Sequence, residues 1–257
     1  MNILLTNDDG ITEDGFSEFA EALRKCGAYR VYVIAPDRNR SGVSNAITVL
    51  TNRMELRLVA EDTWTCEGTP ADCARLGIMG ALPVKIDLLV SGINRGPNIG
   101  TDIIYSGTAA GARQGALCGV PSIAYSLAGN LPPYYWKDAI DYAVSHLEEF
   151  ASLWKRDIFL NINMPNVSGG AREYKITYPS MRNYNDSISF VREPGGTTTC
   201  TIEGGPVVTE GAGGTDYRAL VDGYASVTPV FLYPVVRGDL CPLAPGFAAV
   251  YPRSEGA

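Results

Sequence analysis

The apolar run Ile3-Leu4-Leu5 ends in Asn7-Asp8-Asp9-Gly10. A strand that carries two adjacent carboxylates at its C-terminal tip and then turns on glycine offers hard oxygen ligands on a rigid base. That is the donor type taken by Mg²⁺, Mn²⁺ and Ca²⁺. Open α/β sheets also keep their ligands beyond the carboxyl ends of the strands. An ordinary acidic turn, or an acidic cap for the next helix, would use the same residues. Two further strand ends share the character: Ser41 closes Asp37-Arg38-Asn39-Arg40-Ser41-Gly42, and Asn94 lies in Gly92-Ile93-Asn94-Arg95-Gly96-Pro97-Asn98. None of these residues is the histidine or cysteine that would favour zinc. Each cluster alone is compatible with turn chemistry; three together favour a metal site.

Tyr105-Ser106-Gly107-Thr108 precedes a small-residue helix that starts at Ala109. Hydroxyls and backbone N–H groups at a helix start suit an anion, although the same residues also describe a plain helix cap. Arg38, Arg40 and Arg95 can screen phosphate charge or stand in solvent. The chemistry these groups permit is metal-assisted phosphoester hydrolysis, in which cation-bound water is acidified and a phosphoryl oxygen polarised. Ser106, Thr108 and nearby N–H groups would hold the equatorial oxygens.

Other mechanisms lack their parts. His146 is the sole histidine and falls in a helical pattern between Tyr142 and Phe150, away from the loop clusters a Ser-His-Asp triad would need. Gly42-Val43-Ser44-Asn45-Ala46 lacks the final glycine of a nucleophile elbow. No Gly-Lys dipeptide and no complete Gly-x-Gly-x-x-Gly occur. An aspartyl-phosphate phosphatase of the haloacid dehalogenase type wants Asp-x-Asp, whereas adjacent acids on an extended chain would point to opposite sides. A nucleotide-binding protein without turnover is the non-enzymatic alternative.

The elements that must position these groups alternate. Strands are expected at Asn2–Thr6, Arg30–Ala35, Asp87–Ser91, Ser122–Tyr125 and Ile158–Ile162, with shorter ones at Ile47–Leu50, Met54–Val59 and Thr63–Cys66. Helices are expected from a Thr12 cap to about Cys26, from a Thr69 cap through Pro70, at Ala109–Leu117, and from Lys137 to about Lys155. Strand–helix alternation over about 160 residues implies parallel pairing through right-handed crossovers. Beyond Pro165 the pattern changes to a strand-like Tyr174–Tyr178, glycine-interrupted Thr-rich stretches, and a tail with Pro229, Pro234, Pro242, Pro245 and Pro252 that excludes a long terminal helix.

Composition bounds the partners. The 257 residues carry a net charge of −7, which disfavours nucleic acid or an anionic membrane as partner but leaves room for a small anion beside a cation. The 6 cysteines form no Cys-x-x-Cys pair, so most are expected to be buried small hydrophobes in a reducing compartment. No run of about 18 apolar residues occurs. A cytoplasmic protein is the expectation.

Together the segments 2–10, Ala35-Pro-Asp-Arg-Asn-Arg-Ser-Gly42, Gly68-Thr-Pro-Ala-Asp-Cys73, Val90-Ser-Gly-Ile-Asn-Arg-Gly-Pro-Asn98, Ile104-Tyr-Ser-Gly-Thr-Ala109, Asn161-Ile-Asn-Met-Pro165, Gly214-Thr-Asp-Tyr217 and 223–229 resemble the SurE family of metal-dependent nucleoside monophosphate phosphatases. The resemblance implies a Rossmann-like core over 1–165, with 166–257 as a β-rich extension of the same unit used in homodimer or homotetramer assembly. It implies one Mg²⁺ or Mn²⁺ ion at Asp8, Asp9, Ser41 and Asn94; Asp8, Asp9 and Asn94 are the catalytic candidates, and Asp8 either activates the water or only holds the metal. Ser106 matches the family's phosphate-contacting serine and Asn45 a second polar residue near the same loop; Gly107, Thr108 and Ser41 complete the candidate phosphate contacts. The implied activity is removal of phosphate from nucleoside 5′- and 3′-monophosphates, with short polyphosphate as a further substrate. One departure stands out: family members commonly end in a helix, which the prolines from Pro229 onward oppose.

Overall fold

A computed structural model describes residues 1–49, 53–129 and 131–234. In chain order the elements are β1 (Asn2–Thr6), α1 (Asp14–Lys25), β2 (Arg30–Pro36), β3 (Leu56–Ala60), β4 (Thr63–Cys66), α2 (Pro70–Leu76), β5 (Leu88–Arg95), α3 (Asp102–Tyr105) and α4 (Gly107–Leu117). There follow β6 (Ser122–Ala128), α5 (Trp136–Ser145), α6 (Leu147–Leu153), β7 (Ile158–Pro165), β8 (Tyr174–Ile176), β9 (Met181–Asn183), β10 (Ser187–Arg192), β11 (Thr198–Glu203), β12 (Val208–Glu210), α7 (Asp216–Val221) and β13 (Ala225–Phe231). Among the described residues nine strands make one sheet in the order β3-β4-β2-β1-β5-β6-β7-β13-β8. From β4 to β7 every pairing is parallel, the α/β architecture that the alternation implies. The pairs β10–β11 and β9–β12 stand outside this sheet.

β1 is buried on both faces, which explains its unbroken apolar run. Ile3 and Leu5 pack with Phe16, Phe19 and Leu23 of α1 and with Ile140 and Phe150 of α5 and α6. Leu4 faces the other way, onto Cys73 and Ala74 of α2 and Ala109, Ala112 and Ala116 of α4. Helices thus cover the sheet from both sides. α4 lies close because Gly107, Gly111 and Gly115 repeat every four residues along it. An added Cβ would come 2.8 Å from Ser91 Oγ at Gly111 and 2.5 Å from Ser122 Oγ at Gly115.

Several boundaries differ from the sequence expectation. α1 begins one residue past Glu13, which caps it without a side-chain bond, so Thr12 is not the cap. Residues Ile47–Val49 form no strand, and Leu50 lies outside the described residues. The helix expected over 137–155 breaks at His146. There the ring stacks between Tyr142 and Phe150 and its Nδ1 sits 3.0 Å from the Tyr142 carbonyl, a side chain entering the helical ladder. Pro229 sits inside β13, beyond the stretch that pairs with β8, where its missing N–H breaks no second ladder. Pro242, Pro245, Pro252 and Cys241 lie outside the described residues. Of the cysteines, Cys66 and Cys73 are buried as expected, Cys118 is half-buried, but Cys26 and Cys200 are exposed; all five are free. No described helix is long and apolar enough to cross a membrane.

Candidate active site

The chain leaves β1 through Asn7, whose side chain closes a turn onto Gly10 with bonds of 2.8 and 3.3 Å. The turn bends the backbone at Asp8 and Asp9, so both acids line one cavity. The premise that neighbouring acids splay apart, which holds for extended chain, therefore fails here. Gly10 has φ +103°, and a Cβ there would lie 3.2 Å from the Arg38 backbone. Glycine lets the β2 loop close onto this turn, where Arg40 N donates to the Asp8 carbonyl at 2.6 Å.

That loop brings Ser41 to Asp9. Asn39 Nδ2 and Ser41 Oγ donate to Asp9 Oδ1 at 3.3 and 3.4 Å, and Arg95 N approaches Oδ2 at 3.4 Å. Asn94 is not in a loop after a strand, as its surroundings suggest, but within β5. The β5–β6 register shifts between Ser91 and Asn94, and Gly92, at φ +120°, passes so near Tyr125 that a Cβ would sit 2.2 Å from its carbonyl oxygen. The bulge re-aims the following residues, and Asn94 lines the cavity. Its Nδ2 donates to the Gly96 carbonyl at 2.9 Å, which leaves Oδ1 as the acceptor.

On the other side, Ser106 caps α4, its Oγ accepting from Ala109 N at 2.9 Å, and it lines the cavity. Thr108 is fully buried and donates through Oγ1 to Asp8 Oδ1. Gly107 is needed for closeness: a Cβ would lie 2.7 Å from Asp8 Cβ and 2.9 Å from its Oδ2. Ser106 is thus a helix cap, as the plainer reading has it, and at the same time part of the cavity wall. Asn45 stands apart; its Oδ1 is buried without a partner, and it is not among the residues lining the cavity. Arg38 and Arg40 both turn to Asp37, at 3.8 and 3.6 Å.

Two buried carboxylates dominate the electrostatics of the site. Asp8 is 3% exposed. Burial, then the charge of Asp9, raises its pKa to about 6, against hydrogen bonds from Thr108. Burial also raises Asp9, opposed mainly by the Arg95 N–H and charge. Two carboxylates held above their usual range, with a hydroxyl and an amide oxygen beside them, form a donor set that a hard divalent ion would satisfy. Among the described residues no three His, Cys, Asp or Glu side chains cluster as ligands, so a cation held by Asp8 and Asp9 would need neutral oxygen donors such as Ser41 and Asn94.

The cavity, of about 630 Å³, has a second wall that the sequence did not announce: Asn98, Thr101 and Asp102 with residues 182–186. Asn98 is fixed from β7, where Asn161 and Asn163 donate to its carbonyl at 2.8 and 3.0 Å and Asn163 Oδ1 accepts its N–H at 2.8 Å. Asp216 accepts from Gly100 N at 2.7 Å and Ser180 N at 2.9 Å, tying this wall to the later chain. The available signal was two asparagines at i and i+2 in an apolar strand, which share one face.

The model of the family described as survival protein SurE matches residues 3–186. This chain belongs to the SurE family. It is 41% identical over 241 residues to the 5′-nucleotidase SurE of Thermosipho melanesiensis, covering 91% of this chain and 92% of that one. It is 40% identical over 238 residues to the 5′-nucleotidase SurE of Gemmatimonas aurantiaca, covering 90% and 93%. The crystal structure of the SurE protein from Aquifex aeolicus superposes with a TM-score of 0.79 at 37% identity, over 91% of this chain and 95% of that one. The SurE match covers every segment of the cavity, from the Asp8–Asp9 turn to the wall at 182–186.

Proposed function

We propose that this chain is a divalent-metal-dependent 5′-nucleotidase that hydrolyses nucleoside monophosphates to nucleoside and phosphate. The observation that carries the reading is convergence: Asp8, Asp9, Ser41 and Asn94, together with the serine cap of α4, open onto one cavity. Relatives across this length are named 5′-nucleotidase SurE. Asp8, Asp9, Ser41 and Asn94 would hold one Mg²⁺ or Mn²⁺ ion, which when bound supplies charge for the phosphoryl oxygens and an acidified water.

The chain's own groups do the rest. Ser106, with its Oγ accepting from Ala109 N, keeps its proton to donate to a phosphate oxygen, and the N-terminus of α4 adds dipolar attraction. Thr108 locks the orientation of the Asp8 carboxylate, and Asn39 and Arg95 N do the same for Asp9. Such fixed positioning is what phosphoryl transfer asks of a protein. Hydrolysis of AMP and GMP with Mn²⁺ tests the reading. Phosphate release is expected, lost with chelator, and reduced by at least about 100-fold in Asp9→Asn; a variant with native metal-dependent rate would refute it.

We also read residues 166–257 as the assembly region of a cytoplasmic homodimer or homotetramer. The β10–β11 hairpin leaves Ile188, Phe190, Val191 and Ile202 more than half exposed, an apolar surface of the kind that marks interfaces. Sedimentation should find an oligomer for the native chain and weaker association for Phe190→Asp.

A further inference from the structure

The far wall of the cavity is built from residues other than the four proposed to hold the cation. A volume of about 630 Å³ falls in the range, about 300–1,000 Å³, that encloses a whole small molecule. A lone phosphate would leave most of it empty. Two aromatic residues line it, Tyr105 and Tyr184. The Tyr184 hydroxyl donates to Asp102 Oδ1 at 2.5 Å, and the Arg182 guanidinium carbon lies 5.4 Å from its ring centroid. Arg182 in turn pairs with the same Asp102 carboxylate, both side chains being only 10% exposed. Asp102 belongs to α3, and its carbonyl accepts from Ser106 N at 3.0 Å, so one short helix links the tyrosine's anchor to the cap serine.

Tyr184 is nevertheless 36% exposed. A ring fixed at its hydroxyl and covered by a cation, yet open on a ligand cavity, loses little freedom when a flat partner packs on it. Charge argues the same way. Arg95 and Arg182 are the cations that line the cavity among the described residues, and each is paired with an acid, Glu13 and Asp102 respectively. A second phosphate would find no uncommitted cation on this wall, whereas an uncharged base needs none.

We propose that Tyr184 stacks on the nucleobase, with Asp102 and Arg182 as positioning residues, so that this wall distinguishes nucleoside monophosphates from base-free phosphomonoesters. The proposal rests on the nucleotidase reading above. It is tested by kcat/KM for AMP and for ribose 5-phosphate, both with Mn²⁺, in the native chain and in Tyr184→Leu, Tyr184→Gln and Tyr184→Phe. The AMP to ribose 5-phosphate ratio should fall about tenfold in the Leu and Gln variants, through KM for AMP, and Phe should restore most of it because the ring remains. An unchanged ratio in a folded Leu or Gln variant, including equal losses on both substrates, would overturn the proposal. If neither folds, inhibition of native ribose 5-phosphate hydrolysis decides: adenosine should act at far lower concentration than ribose, and equal potency would overturn the proposal. A native chain that hydrolyses neither substrate would instead defeat the nucleotidase reading itself.

Discussion

Asp8 sits where a carboxylate is least comfortable, buried and next to Asp9, and this has a measurable consequence. Its pKa is raised from 3.8 to about 6, so between those values the folded, metal-free chain binds more protons than the unfolded one. Asp8's contribution to the stability of the metal-free form therefore falls as pH rises from about 4 to about 6, and levels off above. A two-unit shift corresponds to about 3 kcal/mol. Urea unfolding in chelator should show a larger loss in the native chain than in Asp8→Asn, which keeps only the raised Asp9 and is expected to be the more stable protein at pH 7 while inactive. Parallel pH profiles for the two would refute it. At this scale the candidates Asp8, Asp9, Ser41, Asn94 and Ser106, which line one cavity, could be picked out in the sequence because several oxygen-bearing clusters recurred at element ends, although each alone would suit a turn or a cap. Tyr184, Arg182 and Asp102 could not, since their meaning comes only from meeting across 80 residues of chain.

Among the elements, α4 shows why a helix can be glycine-rich and still be a helix. Gly107 has no need of unusual backbone angles, and alanine would suit the helix better by about 1 kcal/mol. What it provides is room, because a Cβ would lie 2.7 Å from Asp8 Cβ. Gly107→Ala is thus expected to leave thermal stability near native while cutting phosphate release from AMP by about 100-fold, the scale of a 1 Å displacement of a reacting group. A variant with native kcat/KM would show that the Asp8 turn yields without consequence. The strand and helix order through β7 was readable from periodicity, and Thr69 caps α2 as expected, with Asp72 completing a capping box. The bulge in β5 and the break at His146 were not readable. Both depend on a neighbour, Tyr125 in one case and the stacked Tyr142 and Phe150 in the other.

At the scale of the whole molecule, the chain after Pro165 returns to the sheet. β13 inserts between β7 and β8, a non-sequential placement that no local pattern encodes, and the Asp216 at the start of α7 reaches back to the cavity wall. It is fully buried, and its oxygens accept from Gly100, Ser180 and Tyr217 N–H groups at 2.7, 2.9 and 2.7 Å. Three backbone donors converge on one carboxylate, so Asp216→Asn must turn an amide nitrogen toward at least one of them. That should cost about 3 kcal/mol, the order expected when a charge-assisted bond is lost and a buried donor left unpaired. The effect on function should be selective. Gly100 stands beside Asn98, Thr101 and Asp102 of the far wall, whereas Asp8 is held by Thr108 of α4 and Asp9 by Ser41 of the loop after β2. Under conditions where the variant stays folded, KM for AMP is therefore expected to rise several-fold with Mn²⁺ affinity close to native. Loss of Mn²⁺ affinity in step with KM would instead mean that the two walls move as one body, and that Asp216 supports the cavity as a whole.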